Sequence, residues 1–153
     1  MQPRRLSAKY ACRVAGYDRD RLNEYIADDT YPCAPSTIAG RRRLFTEDDT
    51  VALYFFAWLV GECRWSPREA GVEACLIRQG LQVLPDSKNL TVIVPHIGSK
   101  HIVGDGDAAA ADPAGHITGG SSSKATRTYN VEHARALIAH GFDEEFATKD
   151  DDE

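Results

Sequence analysis

The sequence predicts an α+β fold that is mainly α, on three observations. Apolar residues recur at spacings of three and four from Val51 to Leu59 and again from Ala70 to Leu81, the period of a helix with a buried face. The run Leu90-Thr91-Val92-Ile93-Val94 is short and β-branched, which is strand composition. After Ser87 the character of the chain changes, so a helical module of residues 1–86 precedes a smaller mixed region of residues 87–142. A chain of 153 residues can bury one ordinary core, or one small core plus an appendage.

The first pair of elements lies between Cys12 and Tyr25. Cys12 stands four residues before Gly16 and Leu22 six after it, a spacing that suits two helices crossing at a tight turn. The small residue lets the helices approach, Gly16 can take the left-handed conformation, and Leu22 anchors the second helix on the first. The exposed positions of that second helix are then Arg19, Arg21 and Asn23, and Asp18 is placed to cap it. A connector containing Tyr31-Pro32-Cys33-Ala34-Pro35 leads to the basic run Gly40-Arg41-Arg42-Arg43-Leu44-Phe45.

Thr46 opens a third helix as its N-cap, with Asp49 reciprocating at the third position. One side of this helix carries Val51, Tyr54, Phe55, Trp58 and Leu59, and the other Leu53, Phe56 and Val60. A helix apolar all round must be covered on both sides, by helix four, by the C-terminal region or by a second protomer. Ser66-Pro67-Arg68-Glu69 starts helix four with a cap, a proline at the first position and a glutamate at the third, and Leu84-Pro85-Asp86 closes it.

This order of parts resembles the MerR-like winged helix-turn-helix family over about residues 6–84, which runs a two-helix reader, a wing ending in an Arg-aromatic pair, an acidic helix start and two further helices. The resemblance implies four helices plus a small wing carrying Arg41, Arg42 and Arg43, binding to double-stranded DNA, and no chemistry or cofactor of its own. Cys12 stands where the family usually has alanine. The family's long C-terminal dimerisation helix has no counterpart in the sequence pattern, so metal or drug sensing is not carried over.

In the C-terminal region, His101-Ile102-Val103 is the expected partner of the Leu90–Val94 strand across a Gly98-Ser99 turn. Residues 104–126, rich in Gly, Ala, Ser and Asp, read as a flexible loop. Arg127-Thr128-Tyr129 is extended, Asn130 caps a short helix from Val131 to His140, and Gly141 ends it. Residues 143–153 read as a disordered acidic tail.

The formal net charge of -5 argues against nucleic acid until its distribution is considered. Residues 1–46 hold nine Lys/Arg against five Asp/Glu, whereas the segment from Asp143 holds seven acids and one lysine. A local basic patch, not the overall charge, governs phosphate attraction. Cys12, Cys33, Cys63 and Cys75 are irregularly spaced and read as free thiols in a reducing compartment. The histidines lack metal-ligand spacing, so no metal is expected. The start of the chain lacks a signal peptide pattern, and the apolar run Val51–Val60 is too short for a bilayer, so a cytoplasmic protein without membrane contact is expected.

The candidate site follows. Arg19, Arg21 and Asn23 suit base edges, arginine pairing with guanine and asparagine with adenine. Three adjacent arginines repel one another and are relieved by a polyanion, so Arg41, Arg42 and Arg43 suit phosphates, with strand alternation letting two of the three reach DNA. Tyr17, Tyr25 and Tyr31 read as packing residues. The leading function is a non-enzymatic, sequence-specific transcriptional regulator of bacterial or phage type. It would act as a homodimer, with helix three as one seam, and with RNA polymerase or another regulatory protein as a partner. The alternatives are a non-enzymatic adaptor or DNA-packaging protein using the same module for protein contacts, and a small enzyme or ligand sensor built around His96, His101 and His116. Whether the Arg19–Asn23 and Arg41–Arg43 groups share one surface separates the first two.

Overall fold

The computed structural model describes residues 2–37, 40–106 and 123–151. The chain is α+β, with five helices and two small antiparallel sheets among those residues. Strand β1 (Arg5–Ser7) leads into α1 (Ala8–Ala15), and Gly16, at φ 77° and ψ 39°, turns the chain left-handedly toward α2 (Arg19–Ala27). Asp18 caps α2, its Oδ1 accepting the Asp20 amide at 2.9 Å, and Leu22 is fully buried as the anchor. Strand β2 (Leu44–Thr46) then pairs with β1, setting Phe45 opposite Leu6, and both side chains enter the core. The arginine run therefore does not cap a hairpin of its own: the chain returns from it to pair with the strand before α1. The three residues of β1 are too few for a legible alternation.

Helix α3 (Glu47–Gly61) begins with the expected reciprocal cap between Thr46 and Asp49, and α4 (Pro67–Val83) with the Ser66 cap. Phe56 of α3 sits among the edges of Tyr17, Tyr25 and Tyr31, with centroids 5.4, 5.9 and 5.0 Å away, so all three tyrosines are packing residues. Both sides of α3 are covered from within the chain, by α4 on one side and by α1 and α5 on the other, and Phe55 meets Tyr129 edge-on at 5.2 Å. Val51, Leu53, Phe55, Phe56 and Leu59 are buried in this way, while Trp58 on the same helix stays exposed.

The second sheet has the order β4-β3-β5, from β3 (Asn89–Pro95), β4 (His101–Val103) and β5 (Ser123–Asn130). The expected flexible loop begins as a fixed turn: the Asp105 carboxylate accepts the amides of Lys88 and Asn89 at 2.8 Å each, which holds its pKa below the usual carboxylate range. The loop ends inside β5, which starts at Ser123, and the rest of it lies outside the described residues.

Helix α5 (Val131–Asp151) corrects two expectations. Gly141 does not end it. A Cβ there would lie 2.5 Å from Val14 Cγ1, so the glycine lets α5 cross close to α1. Buried Ala134, Ile138 and Phe142 recur at helical spacing, and Phe146, four residues on, packs against the same core. The acidic stretch from Asp143 is thus helical as far as Asp151 rather than a disordered tail, and the chain does carry a long C-terminal helix, one that folds back on α1 and α3.

One hydrophobic cluster runs from Leu6 to Phe142, so residue 86 marks no gap in the core. A buried ion pair joins the two parts. Glu73 of α4, fully buried, accepts from Arg127 Nε at 2.6 Å and Nη2 at 2.8 Å and from the Tyr129 hydroxyl at 2.5 Å. Burial pushes the Glu73 carboxyl up, but these donors outweigh it and leave it below the usual glutamate range.

The cysteines depart from four free thiols. Cys33 and Cys75 form a disulfide with Cα atoms 5.5 Å apart, while Cys12 and Cys63 are free. Helix α4 receives the connector because residue 71 is glycine: a Cβ there would lie 2.1 Å from the Thr30 carbonyl oxygen. That approach brings Cys33 over Cys75, one helical turn beyond Gly71. No spacing rule reveals such a pairing, because it is spatial.

Candidate nucleic-acid interface

The predicted reader and the arginine run meet. Arg19 and Asn23, four residues apart on one side of α2, line a cleft of about 480 Å³ together with Arg42 and Arg43 from the connector and Ser7, Ala8, Lys9 and Tyr10 from the start of α1. The helices hold fixed sides of this cleft, because Leu22 anchors α2 and the β1–β2 pairing places the connector's end beside α1. The connector is pinned too: the Arg43 guanidinium donates to the Pro35 carbonyl oxygen, and Thr37 Oγ1 donates to the Arg41 carbonyl at 2.8 Å.

Two of the six predicted site residues stand apart from the cleft. Arg41 is exposed and borders an adjoining hollow with Arg5, Thr37 and Arg42. Arg21, two positions from both Arg19 and Asn23, lies on another side of α2, where its charge acts on Tyr17; burial pushes that phenol up to about 12. Of the three arginines, Arg42 and Arg43 therefore share the cleft with α2.

The cleft belongs to a wider cationic surface. Arg42 also borders a hollow with Arg5, Lys9, Tyr10 and Arg13, and Lys9 and Arg13 lie 5.6 and 5.0 Å from the Tyr10 ring centre. Such a ring steadies two cations side by side. Acids from elsewhere meet the flank of this surface. Arg13 donates from Nε and Nη2 to Glu145 at 2.7 and 2.6 Å, and Arg4 bridges Glu47 and Asp143. Within α2, Asp20 lies 3.8 Å from Arg19, a loose pair in water. Chemically, the cleft brings the Arg19 guanidinium and the Asn23 carboxamide to one wall and the Arg42 and Arg43 guanidinium groups to another, a set of hydrogen-bond donors suited to an anionic or polar partner.

No family model matches the chain, and no curated protein is significantly similar to it.

Ser7, Lys9, Tyr10 and Arg5 were missed by sequence reasoning. Their signal was present in the basic count of residues 1–46, but nothing in the sequence places the start of α1 beside the first turns of α2. Glu73 was also missed, although an acid between Ala70, Ala74 and Ile77 on the buried side of a helix is a signal for a buried partner. His96 and His101 are exposed, His116 lies outside the described residues, and His140 pairs with Glu144 at 3.1 Å. Among the described residues no three His, Cys, Asp or Glu side chains converge as metal ligands, and no helix is long and apolar enough to cross a membrane.

Proposed function

We propose that this chain is a non-enzymatic, sequence-specific binder of double-stranded DNA, a transcriptional regulator acting through a MerR-like winged helix-turn-helix. The observation that carries the reading is the shared cleft of Arg19, Asn23, Arg42 and Arg43. The element order β1, α1, α2, β2, α3, α4 supports it, with the connector and β2 in the place of the wing. In this reading α2 enters the major groove, where Arg19 and Asn23 meet base edges, while Arg42, Arg43, Arg5 and Lys9 hold the backbone on either side. A protein of this kind occupies its site as a homodimer in the cytoplasm and blocks or recruits RNA polymerase or another regulatory protein.

The exposed acids Asp20, which lies near Arg19, and Glu24, farther along α2, favour a second reading, an adaptor or packaging subunit that uses this surface for protein contacts. Titrating duplex DNA at several salt concentrations separates the two. Affinity that falls steeply with salt supports DNA binding, and the absence of duplex binding at low salt supports the adaptor.

A further inference from the structure

The segment that carries Arg42 and Arg43 is held at its end by the pairing of β2 with β1 and before that by three contacts, Thr30 against Gly71, Cys33 to Cys75, and Pro35 to Arg43. The first is a backbone contact inside the core, next to buried Tyr31. The last lies within the segment itself. The disulfide alone ties the middle of the segment covalently to α4, and it lies on the open side of the molecule. Both sulfur-bearing residues are partly exposed and border a hollow of about 400 Å³ with Ser36, Arg78, Gln79 and Gln82, so a small thiol can approach. Cys12 is a poor exchange partner: it is buried, and burial pushes its thiol up to about 11.

A protein that binds DNA works where thiols are kept reduced, and disulfides there are usually transient and regulatory. Resting on the DNA-binding reading, we propose that the Cys33–Cys75 bond is a redox gate: closed, it fixes Pro35, whose carbonyl holds the Arg43 guanidinium in the cleft beside α2, and opened, it loosens that hold while the pairing of β2 with β1 keeps the backbone after Arg43 in place. In opening, one thiolate of a dithiol reductant attacks a cysteine sulfur. The S–S bond breaks and its electron pair leaves on the other cysteine, which takes a proton. The reductant's second thiolate then displaces the first cysteine and departs as a disulfide. Two electrons have entered the protein, and a disulfide oxidant reverses the sequence.

The protein is prepared oxidised and after equilibration with dithiothreitol, and amide exchange is measured at residues 34, 36 and 37 without DNA. Faster exchange there in the reduced form, with α3 and α4 unchanged, is the expected result. Equal exchange, or a bond that resists dithiothreitol until the protein unfolds, overturns the gate. In the DNA arm, reduction weakens duplex binding about tenfold, the cost of ordering one or two arginine side chains anew on binding. Cys33→Ser and Cys75→Ser bind like the reduced form and ignore dithiothreitol. Equal affinity of both redox forms overturns regulation at this site. Redox-dependent exchange with no duplex binding in either form instead overturns the DNA reading and leaves the gate on the connector standing.

Discussion

Arg13, in the last turn of α1, and Glu145, in the C-terminal half of α5, face each other through two hydrogen bonds of 2.7 and 2.6 Å. This pairing turns the acidic end of the chain into a neighbour of the cationic surface rather than a free tail. It holds Arg13 raised above its ordinary pKa, chiefly through the hydrogen bond to Glu145.

Glu145→Gln is expected to strengthen non-specific duplex binding, most at low salt, because Arg13 regains a full uncompensated charge beside Lys9 and Arg42. Thermal stability changes little, since an exposed pair contributes little to folding. Fluorescence anisotropy with two unrelated duplexes checks this; unchanged low-salt affinity would separate Glu145 from the interface. Removing the whole segment from Asp143 is a different experiment, because it deletes Phe146 from the core.

Gly141→Ala sets two effects against each other. Alanine gains about 1 kcal/mol in helix propensity, but its Cβ at 2.5 Å from Val14 Cγ1 forces a stiff branched side chain aside, at about 1–3 kcal/mol. A net loss of roughly 1 kcal/mol is expected in urea unfolding, recovered at least in part when Val14→Ala is added. A single variant more stable than the wild type would show that α1 and α5 do not cross closely here.

Glu73 supplies an acid-sensitive lock between α4 and β5. Its folded pKa lies below the unfolded value of about 4.3, so the stability it contributes is present above that pH and is lost as pH falls through the folded pKa. Glu73→Gln is expected to cost roughly 2–3 kcal/mol at pH 7, less than for a fully buried pair because Arg127 keeps about a third of its side chain in water. The variant should also show a flatter loss of stability between pH 5 and pH 3. Parallel pH profiles for variant and wild type would assign the acid response to other groups.

How much of this was legible in the sequence differs by element. Helices α3 and α4 were, because caps and apolar period agreed locally, and so was the Gly16 turn, whose positive φ leaves few other residues. The strand β1 and the continuation of α5 past Gly141 were not. Each depends on a partner distant in sequence, Phe45 for Leu6 and Val14 for Gly141. Likewise Arg19, Asn23, Arg42 and Arg43 were legible as residue types, but their meeting beside Lys9 depends on β1 and β2 pairing.

The two sides of α2 give a test of base reading. Arg19→Ala and Asn23→Ala should relax sequence preference at individual base pairs, by about 1–3 kcal/mol each, whereas Arg21→Ala should leave preference intact. Selection from a randomised duplex library reads this out. Lost preference in Arg21→Ala alone would place the reading surface on the opposite side of the helix.

The salt dependence of duplex binding, compared between the wild type and Arg42→Ala/Arg43→Ala, tests the shared cleft most directly. If these arginines grip phosphates beside α2, the double variant binds all duplexes more weakly, and the slope of log K against log salt flattens by about one unit per lost contact. An unchanged slope with unchanged affinity would contradict the placement of DNA across this cleft.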